Sequence, residues 1–421
     1  MISAYKIVSD KDIEEAKQWV TYDNIGRYLA QQSLTKADDI NWLPNSNKIA
    51  FGYNPIRGDP VCYTGDCHMS GYGRSLFQLD YTNPPTGSCT SQLIPKHVEL
   101  DCIPAAEIRE KSQKISNVNE LKESTASGMS WGFGVDVPLT SNPILNLVLK
   151  ASFKYGQSEQ TTKMMNHIYR DASIVYHTYA RVSTVKLSLF APKLELSDNF
   201  RYVIDNLPTS TYTPAVAKYI TDYVFNYFGF TYTTEMLLGG IAQMTTVINQ
   251  TSIQPIEQEY QSTTQMIGLS FAKVFSFNYN ENESENSIKL QGFQKYVKSS
   301  TATTVGGATF AASQKLNEWF QTVPKNPVII KFTLQPIFDL ITSERFGNDS
   351  QIDLKADYIK RTLEDYLNQT SLVYCENKCT DPNQGVCRPL DAYGYGLCKC
   401  FSGYDGFDCS TKLSTSTTPP Q

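Results

Sequence analysis

The chain has 421 residues and a formal net charge of −5 at pH 7, with 41% hydrophobic and 19% charged residues. This length suits one large domain with an appendage, or two ordinary domains. The acidic balance argues against nucleic acid as the main partner, because phosphate binding needs a basic surface. No stretch approaches the roughly 18 consecutive apolar residues of a spanning helix. If the chain crosses a bilayer, we expect it to do so as β-strands.

The ten cysteines are unevenly placed along the chain. Four lie between residues 62 and 102, and six crowd into residues 375–409. An even number in clusters indicates disulfides formed in an oxidising compartment, so we expect a secreted protein. Because the first residues lack an apolar signal segment, we infer that a leader was removed or lies outside this sequence. Four sequons are compatible with N-glycosylation: Asn249, Asn282, Asn348 and Asn368.

The early cysteines suggest two local disulfides. Cys62 and Cys67 enclose only Tyr-Thr-Gly-Asp, which suits a small closed loop. That assignment leaves Cys89 to pair with Cys102.

A helical insert is predicted inside an extended region that follows these cysteines. Residues 144–154 and 174–190 alternate as strands do, and we place the insert between them, at about 155–173. In the second strand, apolar residues share one face: Ile174, Tyr176, Ala180 and Val182. The insert has its own apolar candidates: Met164, Met165, Ile168 and Tyr169.

Three more helical segments are predicted downstream. Apolar residues recur every three or four positions over Pro214–Phe228 and over Ile352–Leu367. A second helical insert is placed near 279–304, between extended stretches at 264–278 and 305–313. Its apolar residues stand at helical offsets among charged ones: Ile288, Leu290, Phe293 and Tyr296.

The C-terminal cysteines follow the spacing C-x3-C-x7-C-x10-C-x-C-x8-C from Cys375 to Cys409. So short a segment cannot be stabilised by an apolar core, so disulfides must hold it, and sequence alone permits 15 pairings. Zinc is disfavoured because one pair is separated by a single residue and no His lies nearby. The spacing resembles the EGF family. That resemblance implies three disulfides: Cys375–Cys387, Cys379–Cys398 and Cys400–Cys409.

Calcium is not expected at this module, because Thr-Ser-Leu-Val-Tyr stands where calcium-binding EGF modules carry acidic residues before their first Cys. The module is placed at residues 371–411. The polar tail, residues 412–421, is expected to be disordered.

An ordered set of motifs spans most of the remaining chain. Phe228-Gly229-Phe230-Thr231-Tyr232 precedes Leu238-Gly239-Gly240 by a few residues. Other family-like features lie in order around this pair: Gly52-Tyr53-Asn54-Pro55, Val305-Gly306-Gly307, Asn317-Glu318-Trp319 and Leu334-Gln335-Pro336. Together they resemble the membrane-attack-complex/perforin family, whose signature has Thr or Ser and then His where Phe230 and Thr231 stand here. We assign residues 20–370 to this domain.

The resemblance implies an α+β fold, shared with cholesterol-dependent cytolysins: a bent four-stranded antiparallel sheet flanked by two helical clusters. In this family each cluster refolds into a β-hairpin, and hairpins from many subunits close into a barrel. The implied partners are a target-cell lipid membrane and further copies of the chain, in a ring or arc. Gly239-Gly240 is then the main bend of the sheet, and Gly306-Gly307 a second glycine bend.

Two functions remain open at this stage. A secreted pore former needs an apolar row along each hairpin, and that row is only moderately apolar here. The alternative is a non-lytic adhesion or signalling protein of the same family, in which both helical inserts simply pack. A glycan at Asn282, within the polar stretch 280–286, would make translocation of the second hairpin costly.

No enzyme signature is present in the sequence. The four histidines form no HExxH motif, and neither a G-x-S-x-G motif nor a phosphate-binding Walker loop occurs. We therefore expect no catalysis, no cofactor and no metal.

Overall fold

The computed structural model describes most of the chain. The described residues are 10–31, 41–58, 71–103, 110–117, 120–121, 123–124, 129–131, 159–190, 194–277, 284–311, 314–347, 349–370, 375, 379–389, 396–406 and 408–413. The segments predicted at 144–154 and 414–421, and the pair Cys62 and Cys67, lie outside them.

The helices vary from one turn to six. They are α1 (Asp10–Gln31), α2 (Glu159–Met165), α3 (Asp198–Asp205), α4 (Pro214–Tyr219), α5 (Ile253–Tyr260), α6 (Thr263–Val274), α7 (Ser284–Phe293), α8 (Leu316–Phe320), α9 (Ser343–Phe346) and α10 (Ile352–Thr370). Single π-helical turns extend α2 and α4, over Asn166–Arg170 and Ile220–Phe225. Several N-termini are capped as the sequence dictates. The hydroxyls of Ser197 and Thr213, for example, accept hydrogen bonds from the backbone three residues on.

Most strands are short, and two are very long. They are β1 (Phe51–Tyr53), β2 (Tyr72–Ser75), β3 (Tyr81–Thr82), β4 (Ile94–Pro95), β5 (Val98–Cys102), β6 (Glu110–Ile115), β7 (Met129–Trp131), β8 (Ser173–Leu189), β9 (Thr231–Asn249), β10 (Val297–Val305), β11 (Val328–Pro336), β12 (Gly385–Pro389), β13 (Gly396–Cys400), β14 (Tyr404–Asp405) and β15 (Thr411–Lys412).

The long strands β8 and β9 form the centre of a bent antiparallel sheet. On its outer side, β8 pairs with β6 near its start and with β5 near its end. On its own outer side, β9 pairs with β11 up to Gly239 and with β10 from Ile241 onward. The centre of the sheet thus has four strand positions, and each outer position is filled by two successive segments. Strand β1, itself paired with β2, adjoins the start of β9, and β7 pairs in parallel with β11. The expected α+β fold class is confirmed.

Two long stretches of chain leave this sheet and return to it. We call residues 116–172, between β6 and β8, the first excursion, and residues 250–296, between β9 and β10, the second excursion. Helices α5 to α7 of the second excursion pack on the face of β8 and β9 that carries Ile174, Tyr176, Ala242 and Met244. A separate cluster of α1, α3, α4 and α10 packs around Phe228 and Phe230 at the start of β9.

Two sequence expectations about the inserts are wrong. Residues 264–278 were expected as a strand, but most of them form α6, because its apolar residues pack at helical spacing on the sheet. Residues 297–305 were expected inside the second insert, but they form β10, and the predicted strand 305–313 contains only its last residue. The strand that pairs with the start of β8 is β6; the strand predicted at 144–154 lies outside the described residues. The helices predicted at 214–228 and 352–367 are observed as α4 with its π-turn and as α10.

The disulfides of the described residues coincide with the expected pairs. Cys89 is bonded to Cys102. The C-terminal module contains Cys375–Cys387, Cys379–Cys398 and Cys400–Cys409, around a two-stranded sheet of β12 and β13. This module continues through Leu413, whose backbone N–H donates to Gly403 O at 2.9 Å. Residue 412 therefore belongs to β15 rather than to the tail.

Candidate functional site

The start of β9 is a crowded junction of backbone segments. Gly229 has φ +103°, and a Cβ there would lie 2.6–2.7 Å from the backbone of Tyr53. Phe228 is fully buried, and Thr231 Oγ1 donates to Tyr53 O at 2.7 Å. Tyr232 donates from its hydroxyl to Gln335 Oε1 at 2.9 Å, which ties β9 to β11. The residues Phe228 to Tyr232 thus form a packing junction. Position 229 requires glycine because there is no space for a Cβ and because its φ is positive.

The sheet changes its outer partner at Gly239 and Gly240. A Cβ on Gly239 would lie 1.9 Å from Val182 O, and one on Gly240 would lie 2.7 Å from Val323 Cγ2. Strand β8 has a bulge at the same level, between Ser183 and Val185. A bulge opposite two glycines is the local geometry that bends a sheet.

Gly306 and Gly307 follow β10 and pack against this bend. Both have positive φ, +86° and +66°, and a Cβ on Gly306 would lie 2.8 Å from Gly239 O. Trp319 of α8 packs beside Gly240 and Gly307. Its Nε1–H donates a hydrogen bond to Ala308 O at 2.7 Å. A cavity of about 610 Å³ opens beside these glycines, between the end of α6 and β10.

The described part of the first excursion contains β7 and, from Glu159 to Arg170, a helix that ends just before β8. Of the apolar residues predicted for this insert, Met164, Met165 and Ile168 are buried and Tyr169 is half-buried. Only Asp171 and Ala172 separate the π-helical turn from β8.

The second excursion buries some of its predicted residues and exposes another. Leu290 and Phe293 are buried against the sheet, Tyr296 is half-buried, and Ile288 is 69% exposed. The excursion joins the sheet without a loop at either end: a helical turn begins at Gln250, directly after β9, and another ends at Tyr296, directly before β10.

An exposed carboxylate joins the two ends of the second excursion, and sequence reasoning missed it. Glu259 of α5 accepts hydrogen bonds from the hydroxyls of Tyr260 and Tyr296, each at 2.7 Å, and from Lys295 Nζ at 2.9 Å. Lys295 and Tyr296 are 36 and 37 residues away in the chain, so no local pattern could have indicated these two contacts.

A second carboxylate links the first excursion to the start of β10. Asp171 Oδ2 lies 3.2 Å from His167 Nδ1 and 3.4 Å from Lys298 Nζ. His167 belongs to the first excursion, and Lys298 is in β10, just after the second. These contacts place the end of the first excursion beside the start of β10.

A buried histidine lies between the central strands. His177 of β8 is 1% exposed, and its Nε2 lies 3.3 Å from Gln243 Oε1. Burial lowers the pKa of His177 to about 4; the hydrogen bond to Gln243 opposes this shift, and the nearby Arg181 adds to it. The imidazole is therefore neutral at pH 7, because a charge in this position would be poorly solvated.

The described residues offer no evident metal or cofactor site. The sulfurs of Cys375, Cys379 and Cys398 lie within 4.8 Å of one another, but each cysteine is in a disulfide and has no thiolate to offer. None of the helices searched in the described part of the chain is long and apolar enough to cross a membrane.

Comparison with protein families gives one match over most of the chain. The model of the MAC/Perforin domain family matches residues 42–376. This range contains β8, β9 and both excursions.

The curated relatives include terminal complement proteins. The complement component C8 beta chain of Oryctolagus cuniculus is 22% identical over 317 residues, which cover 69% of this chain and 49% of that protein. Complement component C6 of Bos taurus is 23% identical over 315 residues, 70% of this chain and 31% of that protein. The chain thus spans half or less of the length of these two relatives.

Among solved structures, GNIP1Aa from Chromobacterium piscinae is similar in fold. The TM-score is 0.50 at 14% sequence identity, over 86% of this chain and 65% of that one. At this identity the likeness concerns the fold alone.

Proposed function

Because the chain belongs to the MAC/Perforin domain family, we propose that it is a secreted protein that oligomerises on a target membrane and inserts β-hairpins to form a barrel pore. The disulfides support secretion, because they persist in oxidising compartments. Residues 20–370 are proposed as the pore-forming domain and residues from 371 onward as an EGF-like module.

The observation that carries this proposal is the direct junction between excursion helices and central strands. Helical turns at Gln250 and Tyr296 adjoin β9 and β10 without a loop, and two residues separate the first excursion from β8. Extension of these strands would therefore continue existing ladders. The lipid environment favours such a change only in a closed ring, because an open sheet edge in hydrocarbon leaves backbone groups without partners.

The four glycines at the bend support the same proposal. Gly239, Gly240, Gly306 and Gly307 allow α8 and β10 to approach the bend closely. Any change in the bend must move α8 and the helical turn Val323–Lys325 that follows it, since Trp319 and Val323 fill the space next to Gly240. We infer that the bend opens when the helices of the second excursion leave the sheet.

Dye release from vesicles tests the proposal, with electron microscopy of the same samples. Vesicles of phosphatidylcholine, with and without cholesterol and phosphatidylserine, provide a range of surfaces. We expect leakage together with rings or arcs. Absence of both on every composition would contradict pore formation.

A second candidate function is a non-lytic protein that acts through protein–protein contacts. It is favoured by the polar character of the second excursion, which contains Glu257, Glu259, Glu285 and Lys289. Binding to cells without leakage, retained after deletion of residues 284–293, would support this alternative.

A further inference from the structure

The hairpin of the C-terminal module has one side against the disulfides and one side toward solvent. In the ladder of β12 and β13, Cys387 lies opposite Cys398 and Gly385 lies opposite Cys400. Directly paired residues point to the same side, and the side alternates at each step. These residues therefore belong to the side on which the half-cystines pack together. The residues between them point to the opposite side, which we call the module face: Val386, Arg388, Leu397 and Lys399.

The module face consists of two cross-strand pairs and one residue that continues a strand. Val386 lies opposite Lys399, and Arg388 lies opposite Leu397. Phe401 follows β13, and its backbone N–H donates at 2.8 Å to the carbonyl of the residue that precedes β12, so the ladder extends to this position. Its side chain belongs to the module face as well, because it lies two positions beyond Lys399.

Three apolar side chains lie next to one another on the module face. Leu397 and Phe401 are the diagonal neighbours of Val386 across the ladder, at a distance of about 7–8 Å that aromatic and long side chains can bridge. Val386 is 38% exposed and Phe401 is 43% exposed, while Leu397 is half-buried. A substantial part of this apolar surface is therefore in contact with water.

Both charged residues of the module face are cations. Arg388 and Lys399 are exposed, and neither forms an ion pair within the described part of the chain. The described carboxylates of the module bind backbone N–H groups one or two residues on: those of Asp381, Asp405 and Asp408, at 2.7, 2.7 and 3.0 Å. Among the described residues, the module face thus carries positive charge only.

This local charge is opposite in sign to that of the whole chain. A net charge of −5 gives no general attraction to an anionic surface, so such a surface must approach the chain where cations stand alone. A lipid headgroup layer has phosphates directly above hydrocarbon. Apolar and aromatic side chains enter its boundary, while the long side chains of Arg and Lys reach back to the phosphates. The module face has both components within one short ladder.

The size of the module face favours a membrane over a protein partner. It extends from Leu397 to Phe401 along one strand, about 13 Å at the rise of a strand, and it is roughly 10 Å wide. This area is far below the roughly 800 Å² per partner that a stable protein interface buries. A membrane contact can be this small, because copies held in one assembly reinforce one another's weak contacts.

We propose that the module face is a membrane-docking surface that binds an anionic lipid layer. The side chains of Val386, Leu397 and Phe401 enter the boundary of the acyl chains. Arg388 and Lys399 pair with headgroup phosphates. The inference rests on the proposed action at a membrane and deepens it, because it gives the protein a lipid-contact site outside the central sheet and both excursions.

Vesicle binding by paired variants tests the proposal, on phosphatidylcholine vesicles that contain or lack phosphatidylserine. Val386→Ser with Phe401→Ser removes the exposed apolar side chains, and Arg388→Gln with Lys399→Gln removes the charge. We expect each pair to weaken binding to phosphatidylserine vesicles at least about ten-fold. The glutamine pair should bind phosphatidylcholine vesicles as the unmodified protein does, and its defect should disappear at high salt, where charges are screened.

Two control pairs on α1 match these changes. Ile13→Ser with Val20→Ser alters apolar residues that are 46% and 58% exposed. Lys17→Gln with Arg27→Gln removes two exposed cations from the same helix. Both control pairs should bind vesicles within about two-fold of the unmodified protein, and peptide mapping without reductant should find the module's disulfides intact in every variant. Unchanged binding in either module-face pair, or an equal loss in the controls, would overturn the proposal.

A fluorescence measurement locates the module face in the lipid without weakening it. Phe401→Trp keeps an aromatic side chain at this position and adds a reporter, and phosphatidylcholine with brominated acyl chains serves as quencher. We expect quenching beyond that of the unmodified protein for Phe401→Trp and none beyond it for Val20→Trp. Equal quenching of the two variants would overturn the proposal.

Dye leakage and rings are scored in the same samples, so that failure of this inference and failure of pore formation can be told apart. Binding that depends on the module face without leakage or rings would contradict pore formation and leave the docking surface in place. Leakage together with normal binding of both module-face pairs would do the reverse. If the serine pair abolishes association between copies in solution and leaves vesicle binding unchanged, the face is a contact between copies and the proposal is overturned. Absence of vesicle binding by the unmodified protein would overturn it as well.

Discussion

The two halves of β9 differ in what lies against them. From Thr231 to Gly239 the strand is enclosed by β8, β11 and the junction around Tyr53, with backbone atoms in direct contact. From Ile241 to Asn249 it is flanked by β10 and covered by the helices of the second excursion. We call the first half the scaffold half, because its backbone is in direct contact with the backbone of neighbouring segments. The second half is the covered half: the helices of the second excursion form a covering layer that contacts it mainly through side chains. The difference indicates where the fold can change without being destroyed, and four predictions test it.

The largest effect is expected for Gly239→Ala in the scaffold half. A Cβ there would lie 1.9 Å from Val182 O, which is backbone and cannot move aside. We expect the free energy of unfolding to fall by more than about 4 kcal/mol, measured by denaturant unfolding. Gly87→Ala is the control, because its φ of +83° adds strain while nothing lies within 4 Å. It should cost only about 1–2 kcal/mol. Equal effects of the two variants would contradict the assignment of a crowded bend.

The covering layer should respond locally to Phe271→Ala. Phe271 of α6 is fully buried against the sheet, and loss of a buried phenyl ring costs about 3–5 kcal/mol. We expect hydrogen exchange to accelerate over residues 253–293 while residues 231–239 keep their protection. Val274→Ala, at a residue 47% exposed, should change exchange little. Uniform loss of protection along β9 would show that the two halves unfold together.

A pH-dependent loss of stability is expected from His177, in the covered half of the sheet. Its folded-state pKa, about 4, lies below the ordinary value of 6.5. The associated stability is therefore complete above pH 6.5 and is lost as pH falls from 6.5 toward 4. Between pH 7.5 and 5 we expect the native protein to lose about 2 kcal/mol more than the His177→Gln variant. Thermal unfolding at both pH values measures this difference. An identical pH dependence in both proteins would mean that the imidazole is hydrated.

The smallest effect is expected for Glu259→Gln, which weakens the contact between the two ends of the second excursion. Because Glu259 is exposed, its ion pair with Lys295 contributes little to global stability. We expect a rise of roughly two- to five-fold in hydrogen exchange at residues 294–296. Glu285→Gln is the matched control, since Glu285 pairs with Lys289 within the same helix. Equal effects in the two variants would show that the Glu259 contact does not join the ends.

Much of the fold could be predicted from the sequence, because the relevant signals are local. Alternation identified the region of β8, helical periodicity identified α4 and α10, and cysteine spacing indicated the C-terminal module. The strand expected at 264–278 was wrong, because α6 has a helical set of apolar residues within a stretch that also suits a strand. The contacts of Glu259 with Tyr296 and of Asp171 with Lys298 could not be predicted, since these residues are distant in the chain.

By itself, the sequence determined the clustered disulfides, the extended region of β8 and the helices α4 and α10, because each follows from spacing or residue type. The bend at the glycines followed from the resemblance to the family. Only the tertiary structure decided the register of β6 with β8 and of β9 with β10. That register depends on which distant strands meet, and a shift of one residue would exchange the two faces.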